Sequence, residues 1–182
     1  MTVQSDAMDR GFGWGAVASE VDWEAQYAEQ LPRIYNFLRY RVGPDEAEDL
    51  ASRVFEKAWV HRHRYRRDRA AFGTWLIVIA RNESIDHLRA RRRHEPLEAA
   101  EHVASGGTPE DHAEHRSNVT RLGRLLEGLA DRERELVALK YGAGLTNREI
   151  ARTVKLGESN VGTILHRTIE SLRQEWHKGE PQ

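Results

Sequence analysis

The 182-residue sequence contains no cysteine. That absence excludes disulfides, thiolate nucleophiles, thiol-based redox sensing and cysteine-ligated zinc or iron–sulfur sites, leaving only histidines and carboxylates for any metal. Long apolar runs are also lacking, because the longest, Trp75 to Ala80, is far shorter than the roughly 20 residues of a membrane-spanning helix. Residues 1–30 show no basic-then-apolar signal peptide. We therefore expect a cytoplasmic protein without membrane insertion.

The sequence also lacks an excess of either charge, with 28 Lys and Arg against 29 Asp and Glu. A function that depends on a net positive charge of the whole chain is therefore excluded, and the charge has to be compared segment by segment. Residues 1–29 hold six carboxylates and one arginine, whereas residues 61–94 hold ten arginines and three carboxylates. Residues 95–118 return to six carboxylates and one arginine, and include the Ser-Gly-Gly-Thr-Pro run that is typical of a linker. The net charge is therefore near zero although acidic and basic residues are concentrated in different segments of the chain.

Helical periodicity dominates the apolar pattern, and no period-two alternation of β-branched residues indicates a strand. Apolar residues spaced by three and one predict an amphipathic helix from Pro44 to about residue 60. A second helix is predicted from Phe72 to Arg93, apolar in its first half and arginine-rich in its second. We therefore predict an all-α fold of two small helical domains joined by a flexible linker.

The most specific signals for helix starts and turns lie near the C-terminus. Thr146 to Glu149 matches a capping box that opens a short helix, and Lys155 to Gly157 predicts a tight turn before a last helix from Glu158 to about His177. Two short helices joined in this way are typical of a helix-turn-helix. One face of the last helix carries small polar and donor-bearing side chains suited to base edges in a major groove: Ser159, Asn160, Thr163, His166 and Arg167. The alternative is an ordinary solvated helix face.

The arginine-rich segment 61–94 is a second nucleic-acid candidate. Its cations are interleaved with Tyr65, Phe72 and Trp75, which offer ring faces to unstacked bases as the arginines offer charge to phosphates. Solvated arginines on a helix surface are the alternative, and for Phe72 and Trp75 we consider a core position the better interpretation.

Catalytic and metal sites are not predicted. The close histidine pairs, His61 with His63 and His112 with His115, lack the third ligand and spacing of a zinc site. There is no glycine-rich phosphate loop, nucleophile elbow or carboxylate pair in an apolar setting. We expect no enzyme activity, no metal and no cofactor.

Several segments together resemble the extracytoplasmic-function (ECF) group of bacterial RNA polymerase sigma factors. Residues 46–59, EAEDLASRVFEKAW, resemble the family's polymerase-binding helix, and residues 72–93, FGTWLIVIARNESIDHLRARRR, resemble its promoter-melting helix. Residues 129–137, LADRERELV, the Thr146 capping box and the last helix resemble the family's C-terminal domain. The resemblance implies sigma region 2 at 21–95, an acidic linker at 96–118 and sigma region 4 at 119–178, flanked by tails at 1–20 and 179–182.

The same resemblance implies partners and residue roles. The partners are core RNA polymerase, through its β′ clamp and β flap, and promoter DNA, both as duplex and as melted single strand; an anti-sigma factor is a further candidate. Polymerase binding falls to Glu48, Asp49, Arg53 and Glu56. Contacts to the minus-ten element fall to Tyr65, Arg66, Arg67, Trp75, Asn82, Asp86, Arg89, Arg92 and Arg93. Contacts to the minus-thirty-five element fall to Thr146, Arg148, Ser159, Asn160, Thr163, His166 and Arg167.

Two departures from the family pattern bear on these roles. Ser52 and Arg53 replace a pair that is usually Gln followed by an acid, so a cation stands in the clamp-binding face. Gly162 and Ile164 stand where relatives often carry Lys and Arg, so minus-thirty-five binding is expected either to be weaker or to depend more on the remaining polar residues. Gly162 is also a position where the backbone could approach DNA closely.

Two other classes of function remain open at this point. A stand-alone helix-turn-helix regulator would bind duplex DNA as a dimer without polymerase, and an enzyme acting on nucleic acid would need a metal or acid–base site. The sigma-factor interpretation instead predicts tight binding to core polymerase and weak binding to DNA alone.

Overall fold

The computed structural model describes residues 22–94 and 111–178, and the elements within them are helical. The predicted tails at 1–20 and 179–182, and most of the predicted linker, lie outside these residues. The all-α prediction is confirmed. No helix in the described ranges is long and apolar enough to cross a membrane.

Helices α1 (Trp23–Val42), α2 (Pro44–Val60) and α3 (Phe72–His94) form the N-terminal module. Helix α1 begins where the Asp22 carboxylate accepts a hydrogen bond from the Ala25 amide at 3.0 Å. Gly43 joins α1 to α2 with φ of 109°, a left-handed conformation that favours glycine, and Pro44 then fits the first turn of α2. A 3₁₀ turn (Arg62–Arg64) and a loop lead from α2 to α3.

Helices α4 (Asp111–Glu127), α5 (Asp131–Val137), α6 (Asn147–Val154) and α7 (Glu158–Lys178) form the C-terminal module. Helix α4 begins inside the segment that the sequence assigns to the linker. Helix α5 ends at Val137, and a π segment (Ala138–Gly142) follows it. The Ala143 amide donates to the Ala138 carbonyl at 2.9 Å, five residues back, which widens the turn.

The apolar stripes of all these helices meet in one core. Its members from the N-terminal module include Ile34, Phe37, Leu50 and Leu76, none more than 2% exposed. The C-terminal module adds Leu136, Leu139, Ile150 and Val161, each fully buried, and the buried cluster runs without a break from one module to the other. Burial of such side chains contributes about 1.5–3 kcal/mol each before conformational entropy is subtracted. The two modules are therefore packed against each other.

Candidate nucleic-acid interface

The outer face of α2 carries charged side chains in a row. Glu48, Asp49, Arg53 and Glu56 are all exposed, and at 100° per residue they fall within an arc of about 140° on one side of the helix. Asp49, Arg53 and Glu56 form no ion pair with any other described residue. Their buried counterparts on the opposite side are Ala47, Leu50, Ala51, Val54 and Ala58. The face is thus held rigidly and is open to a partner.

Aromatic rings extend this α2 face toward its C-terminal end. The Phe55 ring lies 4.5 Å from that of Tyr27, and the Trp59 ring lies 5.4 Å from that of Trp23 in an edge-to-face arrangement. Tyr27 and Trp59 remain 45% and 51% exposed. The Arg62 guanidinium lies 4.4 Å from the centre of the Trp59 ring, which suits a cation–π contact. The result is a mixed charged and aromatic surface, and helical periodicity alone did not predict its aromatic part.

Three aromatic rings pack together around the loop ends before α3. The Tyr65 ring lies 5.2 Å from Phe72 and 5.3 Å from Trp75, and Phe72 and Trp75 are 5.6 Å apart. Tyr65 and Phe72 are buried, so the core position expected for Phe72 is observed. Tyr65, expected at the site, lies in the same cluster with 6% exposure, and only Trp75 is half-buried at its edge. Tyr65 and Phe72, at the two ends of the loop, are therefore held in one aromatic cluster with Trp75.

The loop itself presents cations. Arg66 and Arg67 are exposed, and Arg66 pairs with Asp68 at 3.1 Å. The hydrogen bond from Arg66 holds the pKa of the Asp68 carboxyl below its ordinary value. Arg69 is also exposed, so the loop presents three cations to solvent.

One stripe of α3 begins at Trp75, in this aromatic cluster, and runs along the basic half of the helix. At 100° per residue, Trp75, Asn82, Asp86, Arg89 and Arg93 fall within an arc of about 60°. The four polar members are exposed; Asp86 lies 3.9 Å from Arg89, and Arg93 donates to the Arg89 carbonyl at 3.3 Å. The structure therefore brings five of the predicted minus-ten residues onto one surface.

Arg92 does not belong to that stripe. It lies roughly 60–120° around α3 from the stripe residues, and its guanidinium is 3.6 Å from the Asp131 carboxylate of the C-terminal module. Its side chain is nevertheless 69% exposed.

The helix-turn-helix prediction corresponds to α6, the following turn and α7. Thr146 Oγ1 accepts from the Glu149 amide at 3.3 Å while the Thr146 amide donates to Glu149 Oε2 at 2.8 Å, which completes the predicted capping box. The hydrogen bonds that the Thr146 amide and hydroxyl donate to the Glu149 carboxylate hold the pKa of Glu149 below its ordinary value of 4.5. The Thr146 hydroxyl, expected to contact DNA, is engaged in the cap.

The left-handed residue of the turn between α6 and α7 is a lysine. Lys155, and not Gly157, adopts the left-handed conformation, with φ of 57° and ψ of 47°. The Leu156 amide then donates to the Ala151 carbonyl at 3.0 Å, which closes the end of α6.

Helix α7 presents the predicted polar face to the outside. Ser159, Asn160, Thr163, His166 and Arg167 are all exposed, whereas Val161, Leu165 and Thr168 are buried against the module. Thr163 donates its hydroxyl to the Ser159 carbonyl at 3.0 Å. Arg148, also exposed, lies 3.4 Å from Glu158 at the start of α7 and so links the two helices.

Gly162 does not belong to that exposed face. A Cβ added there would lie 3.5 Å from the Asn147 side chain of α6. The glycine thus lies beside α6, and the expected close approach of its backbone to DNA finds no support in this placement.

Two family models match this chain. The family model for sigma-70 region 2 matches residues 27–94, and that for sigma-70 region 4 matches residues 125–174. The ECF RNA polymerase sigma factor RpoE of Cereibacter sphaeroides is 30% identical over 96% of this chain and 98% of its own length. The chain belongs to the ECF RNA polymerase sigma factors.

Other relatives agree in sequence and in fold. The ECF sigma factor SigW of Bacillus subtilis is 30% identical over 79% of this chain and 82% of its own length. The solved sigma factor RpoE of Bartonella quintana, crystallised with the anti-sigma factor NepR, shares the fold with a TM-score of 0.68 and 23% identity, covering 88% of this chain and 99% of that one.

This ECF sigma factor directs promoter-specific transcription initiation as an alternative sigma factor, and it binds core RNA polymerase and promoter DNA. Membership of the family implies an initiation factor rather than an enzyme. Within the described residues, no group of three or more His, Asp or Glu side chains could hold a metal ion.

Proposed function

We propose that the work of initiation is divided among three separate surfaces of this chain. The outer face of α2 binds the β′ clamp of the polymerase, the arginine loop and the α3 stripe open the minus-ten element, and the helix-turn-helix reads the minus-thirty-five element. The observation that carries the proposal is the α3 stripe, in which the exposed side chains of Asn82, Arg89 and Arg93 continue from the aromatic cluster at Trp75.

The α2 face suits a protein partner because it combines unpaired charges with half-exposed rings. Interfaces are enriched in aromatic residues and Arg, and their charged rims steer association. Arg53 is flanked along the helix by Asp49 and Glu56, so the clamp contact is expected to include an acidic partner for Arg53. Trp59 and Tyr27 add apolar area at the edge of this face.

The α3 stripe suits single-stranded DNA. Arg89 and Arg93 lie one turn apart, so they can neutralise neighbouring phosphates, while Asn82 supplies amide donors and acceptors to base edges. Extrusion of a base costs a few kcal/mol, and a loop held in place by the buried Tyr65 provides a preformed surface for it. Tyr65 then acts by supporting Arg66 and Arg67, with Trp75 as the ring nearest the surface.

The helix-turn-helix suits a major groove. The exposed residues near the start of α7 are those that reach base edges when such a helix enters the groove, and Arg148 lies where a phosphate would meet the start of α6. With Gly162 turned toward Asn147 and no lysine at 162 or 164, base and phosphate contacts fall to Asn160, His166 and Arg167.

The proposed domain limits follow from the same division. We assign 21–95 to region 2, 96–118 to the linker and 119–178 to region 4; residues 111–118 of that linker lie in α4. An anti-sigma factor is a finer partner assignment, and the exposed α2 face is the surface we propose for it.

Paired variants test the division. Asp49→Lys with Glu56→Lys is expected to abolish co-elution with core polymerase, and Glu175→Lys, an exposed charge reversal on α7, serves as its control. Arg89→Ala with Arg93→Ala is expected to preserve co-elution and to abolish strand opening, detected by permanganate reactivity of unpaired thymines. His166→Ala with Arg167→Ala is expected to weaken binding to promoter duplex upstream.

The three variants must fail at different steps. Loss of polymerase binding in the α3 or α7 variants would contradict the division of surfaces. A stand-alone dimeric regulator would instead bind a palindromic duplex without polymerase, and the α2 variant would leave its DNA binding unchanged.

A further inference from the structure

The start of α1 and the end of α2 share a patch of apolar side chains that is only partly covered. Tyr27 of α1 is 45% exposed, Trp59 of α2 is 51% exposed, and Val60, the last residue of α2, is 56% exposed. Scattered exposed apolar residues are ordinary, whereas adjoining ones indicate a contact surface. We call Trp23, Tyr27, Phe55, Trp59 and Val60 together the Trp59 patch.

The N-terminal module holds the rings of the Trp59 patch in place. The Trp23 ring lies 5.4 Å from that of Trp59 and 5.2 Å from that of Phe72, both in edge-to-face arrangements. Phe72 is buried, so it anchors these rings in the core. Within the same patch, the Tyr27 and Phe55 rings are 4.5 Å apart. The patch is therefore preformed, which lowers the entropic cost of binding to it.

The chain leads into this patch from its N-terminal side. Trp23, the first residue of α1, belongs to the patch, and the described residues begin one position earlier, at Asp22. Residues 12–17, FGWGAV, are the most apolar stretch of residues 1–21 and lie only six to eleven positions before Trp23. Six residues span up to about 20 Å, which is more than the 5.4 Å between the Trp23 and Trp59 rings. The segment can therefore reach the patch of its own chain.

Charge favours the same contact. Residues 1–21 hold three carboxylates and one arginine, whereas residues 61–64, HRHR, which directly follow the patch, hold two arginines and no acid. The Arg62 guanidinium lies 4.4 Å from the centre of the Trp59 ring, and Arg64 is exposed. Asp6 and Asp9 precede residues 12–17, so they can approach these cations when that segment lies on the patch.

We propose that residues 12–17 dock on the Trp59 patch of the same chain, with Phe12 and Trp14 as the anchoring rings. Aromatic side chains bury a large apolar area, and edge-to-face contacts like those already present in the patch suit them. The short connection to Trp23 gives an effective concentration on the order of millimolar, so a weak contact is enough to keep the patch occupied.

Docking of residues 12–17 lowers the affinity of the chain for polymerase. The Trp59 patch adjoins the charged outer face of α2, where Arg53 and Glu56 are exposed. This consequence rests on the proposed function, which assigns that face to the polymerase. The docked segment has to leave before the polymerase covers the patch, so the apparent affinity falls in proportion to the fraction of chains whose patch is free.

The absence of native cysteine allows one site-specific label on the full chain. A nitroxide on Ala7→Cys broadens nearby NMR signals, and the indole N–H signal of Trp59 reports on the patch. Phe12→Ser with Trp14→Ser, added to this labelled chain, is expected to reduce the broadening severalfold, because it removes the anchoring rings. Val3→Ser with Met8→Ser removes two apolar side chains outside residues 12–17, and this matched control is expected to leave the broadening unchanged.

A variant on the patch tests the contact from its other side. Val60→Ser removes exposed apolar surface and is also expected to reduce the broadening, whereas Val119→Ser, at an exposed valine of α4, serves as its control. Circular dichroism checks that both variants keep their helices.

Two results would overturn the docked segment. One is equal broadening in the unmodified chain and in the Phe12 and Trp14 variant. The other is broadening of an isotope-labelled chain without nitroxide by a second chain that carries it, since the occupant would then belong to another copy.

Binding to core polymerase separates this proposal from the proposed function. Phe12→Ser with Trp14→Ser is expected to bind core polymerase about three- to tenfold more tightly than the unmodified chain, which corresponds to a docked fraction of about two-thirds to nine-tenths. Val3→Ser with Met8→Ser is expected to bind as the unmodified chain does. Equal or weaker binding of the Phe12 and Trp14 variant would overturn the competition. Absence of polymerase binding by every chain, with the broadening changing as expected, would instead refute the proposed function and leave the docked segment standing.

Discussion

Removal of the Thr146 hydroxyl is predicted to loosen α6, the short helix that precedes α7. The hydroxyl accepts from the Glu149 amide at 3.3 Å and donates to the Glu149 carboxylate at 2.7 Å. Loss of such a cap costs about 1 kcal/mol, and loss of the second, solvent-exposed bond to a charged group adds up to about 1 kcal/mol. Helix α6 has 8 residues, so it cannot persist without its cap and its packing.

Native-state hydrogen exchange measures this loss directly. A cost of about 1–2 kcal/mol corresponds to protection of the α6 amides that is about 5- to 30-fold lower in Thr146→Ala. Thr146→Ser keeps the hydroxyl and is expected to keep most of the protection. Protection in Thr146→Ala equal to that of the unmodified chain, or equally reduced in Thr146→Ser, would refute the capping argument.

Three further predictions concern the same surfaces. Lys155→Gly is expected to stabilise the chain by about 0.5–1 kcal/mol in denaturant unfolding, because the left-handed position is strained for lysine, while Gly157→Ala should be neutral. The pKa of Glu149 is lower in the folded chain than its ordinary value of 4.5, so the ionised carboxylate stabilises the fold fully above pH 4.5. This stabilisation is lost as the pH falls through the lower folded-state pKa. Glu149→Gln should therefore be less stable than the unmodified chain at pH 7, and the difference should disappear in acid. Arg93→Ala should reduce the salt dependence of single-strand binding by about 0.7 in slope, whereas a phosphate-independent site would show no change.

Local sequence patterns predicted the helices well, because helix formation and capping depend on residues that are close together in the chain. The amphipathic spacing of α2, the glycine and proline before it, and the capping box at Thr146 each involve residues within one or two turns. The same periodicity indicated which side of α2 and α7 is exposed, and all the predicted contacts on those two helices are on the surface. The resemblance to a family then supplied roles that spacing alone could not.

Features that depend on distant contacts were not predictable in this way. Tyr65 lies in a loop by sequence, yet Phe72 and Trp75 bury it. The π segment and the left-handed Lys155 have no signal in composition, since a lysine carries no preference for positive φ. The packing of α1 against Gly142 joins residues about a hundred positions apart, and charge by segment could not show that Arg92 faces Asp131.

Run-off transcription with purified bacterial core polymerase on a library of promoter fragments tests the central claim most directly. The account predicts start sites that require this protein, share a minus-ten and a minus-thirty-five sequence, and are lost with Asp49→Ala but retained with Glu175→Lys. An absence of dependent start sites, together with no co-elution of the protein with core polymerase, would contradict it.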